Sequence, residues 1–207
     1  AYQSTYRVFP SSKDTRAALA DAGEASPDFT WGTAYGGGWW QNKKGQQVRV
    51  ETVGVNLRSQ ANNSEIVSIL KDLAVFRNGR GTVNPSHIYN TQKTSFLDAK
   101  EVDGPRTPGI GADGVYRDPW GNPYIITIDL NYDGQCMDGL YRFDAVSRDP
   151  KGAATQGLNG HFKAKPQANT FENRTEVMVW SLGPDGLASG QQSANAGVNK
   201  DNVLSWK

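Results

Sequence analysis

Charge of one sign is what this sequence lacks most plainly: 22 Lys and Arg stand against 21 Asp and Glu. No basic run or stripe breaks that balance. Nucleic-acid binding draws its affinity from phosphate neutralisation, so that class is set aside. Cysteine is nearly absent, and a lone Cys136 excludes an intrachain disulfide. With no partner thiol or base beside it in the sequence, it reads as a structural thiol rather than a nucleophile. Histidine is scarce. His87 and His161 lie in polar surroundings, and neither has the spacing of a triad or a zinc site. Long apolar runs are missing too: nothing approaches the ~20 residues that cross a bilayer, and there is no signal-peptide core. Paired carboxylates such as Asp98 with Glu101 read as surface charge. A carboxylate hydrolase therefore has no marker, and the chain is expected not to be an enzyme.

What is present is glycine, proline and aromatic rings. Hydrophobic residues make up 37% of a 207-residue chain that holds 23 Gly and 10 Pro. That predicts one domain over 1–207, with a modest core and many turns rather than a helical bundle. The six Trp and eight Tyr must then supply much of the buried area.

Periodicity places the elements. Tyr2 and Tyr6 share a helix face, and Phe9-Pro10 ends that helix. Ser11-Ser12-Lys13-Asp14 starts a second helix that runs through Ala17–Ala20 and stops near Gly23. Residues 24–46 read as a Gly- and Trp-rich loop, and Val48, Val50 and Thr52 as a short strand. Asn62-Asn63-Ser64-Glu65 caps the clearest helix, whose stripe is Ile66, Ile69, Leu70 and Leu73. Residues 78–117 are loop. Tyr124 to Leu130 is a strong strand with Tyr124, Ile126, Ile128 and Leu130 on one face. Glu176 to Leu182 is apolar on both faces and belongs inside a sheet. A third strand is expected at Leu140 to Phe143, and 183–207 return to loop. The fold class is α+β, with a small, mainly antiparallel sheet and long loops.

Three segments carry chemistry. Asp118-Pro119-Trp120-Gly121-Asn122-Pro123-Tyr124 is a rigid turn feeding a strand, with two prolines fixing φ and Gly121 allowing a conformation other residues resist. Ser181-Leu182-Gly183-Pro184-Asp185-Gly186 follows a strand. Asp129-Leu130-Asn131-Tyr132-Asp133-Gly134 spaces oxygens like the first half of an EF-hand loop, but its twelfth position is Leu140, so a hairpin turn is the simpler reading; Asp138 lies out of register. Trp31, Trp39 and Trp40 either cover the sheet or form an aromatic platform for a sugar or a partner subunit.

The Asp-Pro-Trp-Gly-Asn-Pro-Tyr segment, the Ser-Leu-Gly-x-Asp-Gly segment, the closing Asp201-Asn202-Val203-Leu204-Ser205-Trp206 and the opening Ala1-Tyr2-Gln3-Ser4-Thr5-Tyr6-Arg7-Val8-Phe9-Pro10 occur in one order. Together they resemble the major pseudopilins of type II secretion, within the type IV pilin-like family. The resemblance covers both ends and roughly a third of the chain. Residues 24–115 form an enlarged variable region, 131–175 an insertion, and 116–207 the sheet and C-terminal loop.

The resemblance implies a pilin-like head and a structural role in a secretion pseudopilus or related filament. A hydrophobic helix upstream of Ala1 would anchor it at the periplasmic side of the inner membrane or the cell surface. Its partners would be other pseudopilin subunits, both copies of itself and minor pseudopilins. The resemblance also implies Ca²⁺ in the loop after the Ser-Leu-Gly-x-Asp-Gly strand, at Asp185 and Asp201 with Ser181. The alternative is a pilin-like surface adhesin or glycan-binding module that uses the Trp-rich loop.

Overall fold

The computed structural model describes residues 1–20, 28–32, 40–41, 47–48 and 60–207. In chain order the elements are α1 (Tyr2–Tyr6), α2 (Lys13–Ala20), β1 (Phe29–Trp31), β2 (Trp40–Gln41), β3 (Gln47–Val48), β4 (Gln60–Ala61), α3 (Ser64–Leu70), β5 (Gly109–Ile110), β6 (Tyr116–Arg117), β7 (Ile125–Ile128), α4 (Asp144–Ser147), β8 (Val177–Ser181) and β9 (Val203–Leu204). The fold is α+β. Five strands form the main sheet in the order β4-β1-β7-β8-β9. Among the described residues of this sheet, β1–β4 is the parallel pair; β1–β7, β7–β8 and β8–β9 are antiparallel.

Strand alternation gives the sheet two buried faces. Ile126 and Ile128 point with Phe29 and Trp31 toward Phe9 and Ile66, on the side of α1 and α3. Ile125 points the other way with Met178 and Trp180, into a second core completed by Cys136, Leu140, Tyr141, Val146 and Leu182. The 131–175 segment therefore covers one face of the sheet. Two apolar faces explain why β7 and β8 carry apolar residues at nearly every position. Trp31 and Trp180 are fully buried, and rings of that size dominate a core this small.

The helices follow local rules. Ser12 Oγ accepts Thr15 N–H at 3.1 Å at the start of α2. Asn62 Oδ1 accepts Ser64 N–H at 3.0 Å in a turn before α3, whose N-cap Asn63 makes no side-chain cap bond. α1 ends earlier than expected: Arg7 turns left-handed at φ 59°, two residues before Phe9-Pro10. α3 buries more than one stripe, because Val67 and Ser68 are covered as well as Ile66 and Ile69.

Several expectations are corrected. Leu140–Phe143 is not a strand. Asp138 Oδ1 accepts both Leu140 N–H at 2.8 Å and Tyr141 N–H at 2.9 Å, which removes the amides a ladder would use. The segment turns into α4 instead. Residues 24–46 are not all loop, since β1 lies at 29–31 beside the central strand. The C-terminal stretch is not all loop either, since Val203–Leu204 pairs with β8. Gly23, Gly36–Gly38, Trp39, Val50 and Thr52 lie outside the described residues, and Val48 closes β3.

Candidate functional site

The Asp118 turn and the end of β8 lie some 60 residues apart in sequence and meet in space. Asp118 N–H donates to Asn122 O at 2.8 Å and Gly121 N–H to Asp118 O at 3.0 Å, closing the turn. Gly121 takes φ 90° there, a conformation open to glycine. The Asp118 side chain is fully buried. Its Oδ1 accepts Trp120 N–H at 2.9 Å and Asn122 N–H at 2.8 Å. Its Oδ2 accepts Asn122 Nδ2 at 3.3 Å and the Ser181 hydroxyl. Asn122 Nδ2 also reaches Gly183 O at 2.8 Å, and Gly183 N–H donates to Ser181 Oγ at 3.1 Å. One buried carboxylate thus holds the turn, the strand end and the next loop together, and four donors satisfy it. The Ser181 hydroxyl donates to this carboxylate and accepts Gly183 N–H.

The C-terminal loop is drawn to the same place. Gly183 has φ 65°, and a Cβ there would sit 2.3 Å from Asp201 O, so the two segments pass in contact only because residue 183 is glycine. Asp185 N–H donates to Asp201 Oδ2 at 3.4 Å, and Asp185 Oδ1 accepts Leu187 N–H at 2.8 Å. Asp201 Oδ1 is buried with no hydrogen-bond partner. Asn199 pins the loop between them: its Oδ1 accepts Ser189 N–H at 2.9 Å, and its Nδ2 donates to Ser189 O at 2.8 Å and Gln192 O at 2.7 Å. Asn202 Nδ2 reaches Tyr141 Oη at 3.0 Å. Asp185 and Asp201 are therefore side by side, 16 residues apart in sequence.

Asp129, Asn131 and Asp133 come together as a turn. Asp129 Oδ1 and Oδ2 accept Asp133 N–H at 3.2 Å and Gly134 N–H at 2.8 Å. Asn131 Nδ2 donates to Asp133 Oδ2 at 3.0 Å, and Asp133 Oδ1 accepts Gln135 N–H at 2.9 Å. Asp138 stands apart, holding Thr127 Oγ1 at 2.6 Å and Trp180 Nε1 at 3.1 Å. Sequence reading passed over Asp28, whose Oδ2 accepts Met137 N–H at 2.8 Å. Burial pushes its carboxyl up to about 7, the Met137 amide opposes this, and the charges of Asp129, Asp133 and Glu172 add to it.

The remaining candidates fall into place as packing. Burial pushes the Cys136 thiol upward, which makes it inert. His161 is buried, not in a polar loop: it stacks on Tyr141 with ring centroids 5.6 Å apart, and burial pushes its imidazole down against a hydrogen bond to Leu158 O. His87 pairs with Asp72 at 2.8 Å on the partly exposed surface. Trp31 is buried beside Phe29 and offers no face to a sugar. Trp39 and the Trp40 side chain lie outside the described residues. No family model, no curated protein and no solved structure matches this chain.

Proposed function

We propose that this chain is the head of a pseudopilin-like structural subunit of a type II secretion pseudopilus or related pilus-type filament. The observation that carries the reading is convergence. Asp118–Asn122, Ser181–Gly183 and Asp201 are three of the segments in which the sequence resembles that family, and they bind one another directly. Segments retained as a unit of structure are expected to touch. In this reading a hydrophobic helix precedes Ala1 and continues α1. It anchors the subunit at the periplasmic side of the inner membrane and packs in the filament core, beside copies of the subunit and minor pseudopilins. An apolar groove of 420 Å³ lined by Ala1, Tyr2, Phe96, Tyr124, Val177 and Val179 lies where α1 meets the sheet. A continuing helix would cover apolar surface there. The test is recovery of the full-length protein in sheared filament fractions of its host. Its absence from every filament and secretion complex argues against the proposal.

Ca²⁺ belongs to the same reading. One observation supports the ion: Asp201 Oδ1 is a buried carboxylate oxygen without a donor, and Asp185 lies beside it, oxygen ligands of the kind Ca²⁺ takes. Asp185 and Asp201 would hold it, and the bound ion would stiffen the loop between them. Ca²⁺ titration into the chelator-treated chain is expected to saturate and to raise the melting temperature. At 100 times Kd the added stability is about 2.7 kcal/mol. Asp201→Ala should abolish both effects. No heat at millimolar Ca²⁺ removes the ion from the account and leaves the structural role standing.

A further inference from the structure

A hydrogen-bonded loop presents Arg80 to a pocket that the Asp118 turn does not line. Phe76 N–H donates to Arg80 O at 2.8 Å and Gly79 N–H to Phe76 O at 2.9 Å. Asn78 Oδ1 accepts Arg80 N–H at 3.0 Å, and Thr82 Oγ1 ties the loop to Leu73 O at 2.6 Å. Phe76 is buried and seated so closely on Gly114 that a Cβ there would lie 2.1 Å from its ring. The Arg80 guanidinium lies over that ring, 4.9 Å from its centroid. Backbone and floor are both set before a ligand arrives.

The pocket is an open cleft of 350 Å³ whose lining includes Asn62, Ser64, Glu65, Phe76, Arg80 and Thr82. That is the size range of small-molecule sites, about 300–1,000 Å³. Among the described residues, Arg80 Nη2 donates to neutral oxygens, Asp113 O at 3.1 Å and Ser64 Oγ at 3.4 Å. The Asp113 carboxylate is already forked by Arg117, at 3.0 and 2.6 Å. Among the described residues no carboxylate forms an ion pair with Arg80, and no cation forms one with Glu65. Glu65 Oε1 accepts Ser12 N–H and Thr15 Oγ1, both at 2.8 Å, which keeps the side chain in one position. Among the described residues, one wall therefore carries a guanidinium without a carboxylate partner and another a carboxylate, held by two neutral donors, without a cation partner.

A guanidinium fork matches a carboxylate. The Glu65 charge repels a phosphate dianion and attracts an ammonium. We propose that this pocket binds a small zwitterion of the α-amino-acid type, its carboxylate on Arg80 and Ser64 and its ammonium toward Glu65. The site is independent of the filament reading.

Titration of L-alanine into the chain, followed by amide NMR shifts, is expected to saturate with a Kd of about 1–10 mM and to move Asn62, Ser64 and Arg80. Acetate, which lacks the ammonium, should bind about threefold or more weakly, and inorganic phosphate should give no saturable shift. Arg80→Gln, a change at an exposed residue, should weaken L-alanine about tenfold or more. Glu65→Gln keeps an acceptor for Ser12 and Thr15 and should bring L-alanine down to the affinity of acetate. Three results overturn the proposal: no saturable shift with L-alanine up to about 100 mM, unchanged affinity in Arg80→Gln, or an undiminished preference for L-alanine over acetate in Glu65→Gln.

Discussion

At the scale of single residues, buried carboxylates do most of the organising. Asp118 is the clearest case, because truncation leaves the Trp120 and Asn122 amides and the Ser181 hydroxyl without acceptors in a dry site. Asp118→Ala is expected to cost about 3 kcal/mol or more in urea unfolding, and Ser181→Ala about 1 kcal/mol. Equal costs for the two would mean that the carboxylate is not the hub. Asp28 behaves in the opposite way. Its carboxyl is raised from 3.8 to about 7 in the folded protein. The folded state therefore binds the proton more tightly than the unfolded chain does. The stability Asp28 contributes is fully present below its unfolded value and is lost as pH rises from about 4 through 7. Asp28→Asn, which keeps an acceptor for Met137 N–H, should be more stable than the parent at pH 8 by a few kcal/mol, with the difference shrinking toward pH 4. A pH-independent difference in melting would contradict this sign. None of these roles is written in residue type alone: Asp118 stood out through the prolines and glycine around it, whereas Asp28 had no local pattern to mark it.

At the scale of elements, asparagine side chains join pieces that periodicity cannot connect. Asn63 Nδ2 donates to Tyr116 O and Tyr124 O, both at 2.8 Å, and its Oδ1 accepts Tyr116 N–H at 2.9 Å. It ties α3 to β6 and to the entry of β7. Asn63→Ala is expected to lower stability by about 2–4 kcal/mol and to speed hydrogen exchange at the Tyr116 amide selectively. Uniform exchange across the sheet would show that the tie is not local. The long-period signals were legible in the sequence: α2, α3, β7 and β8 each lie within a segment whose apolar spacing or capping residues announced it. The strands β1, β4 and β9 were not, because two or three residues carry no period and exist only through partners such as Ile126 and Trp180. Leu140–Phe143 misled for the same physical reason in reverse. Its apolar residues suit a strand, but the Asp138 carboxylate before it claims the amides. The nearness of Asp185 to Asp201 was expected from resemblance, and the part played by Gly183 in allowing it needed the fold. Gly183→Ala places a methyl against Asp201 O. It is expected to cost at least about 2 kcal/mol and to loosen the C-terminal segment to limited proteolysis before the sheet.

At the scale of the whole molecule, the sheet packs against two covers. The N-terminal segments lie on one face, and residues 131–175 with the C-terminal loop lie on the other. Trp206 in that loop meets the Tyr141 ring edge-on at 5.3 Å, so the last strand and the 131–175 segment brace each other. Leu187 and Val203 remain exposed on the C-terminal stretch. In the filament proposal these residues sit where one head meets the next. The most direct test is a cysteine at Leu187 in the full-length protein, expressed in its host and treated with a thiol cross-linker; the native Cys136 is buried and does not compete. The account predicts a ladder of cross-linked subunits that disappears when the proposed N-terminal hydrophobic helix is deleted. A single monomer band from membranes in which the secretion or pilus machinery is assembled would contradict it.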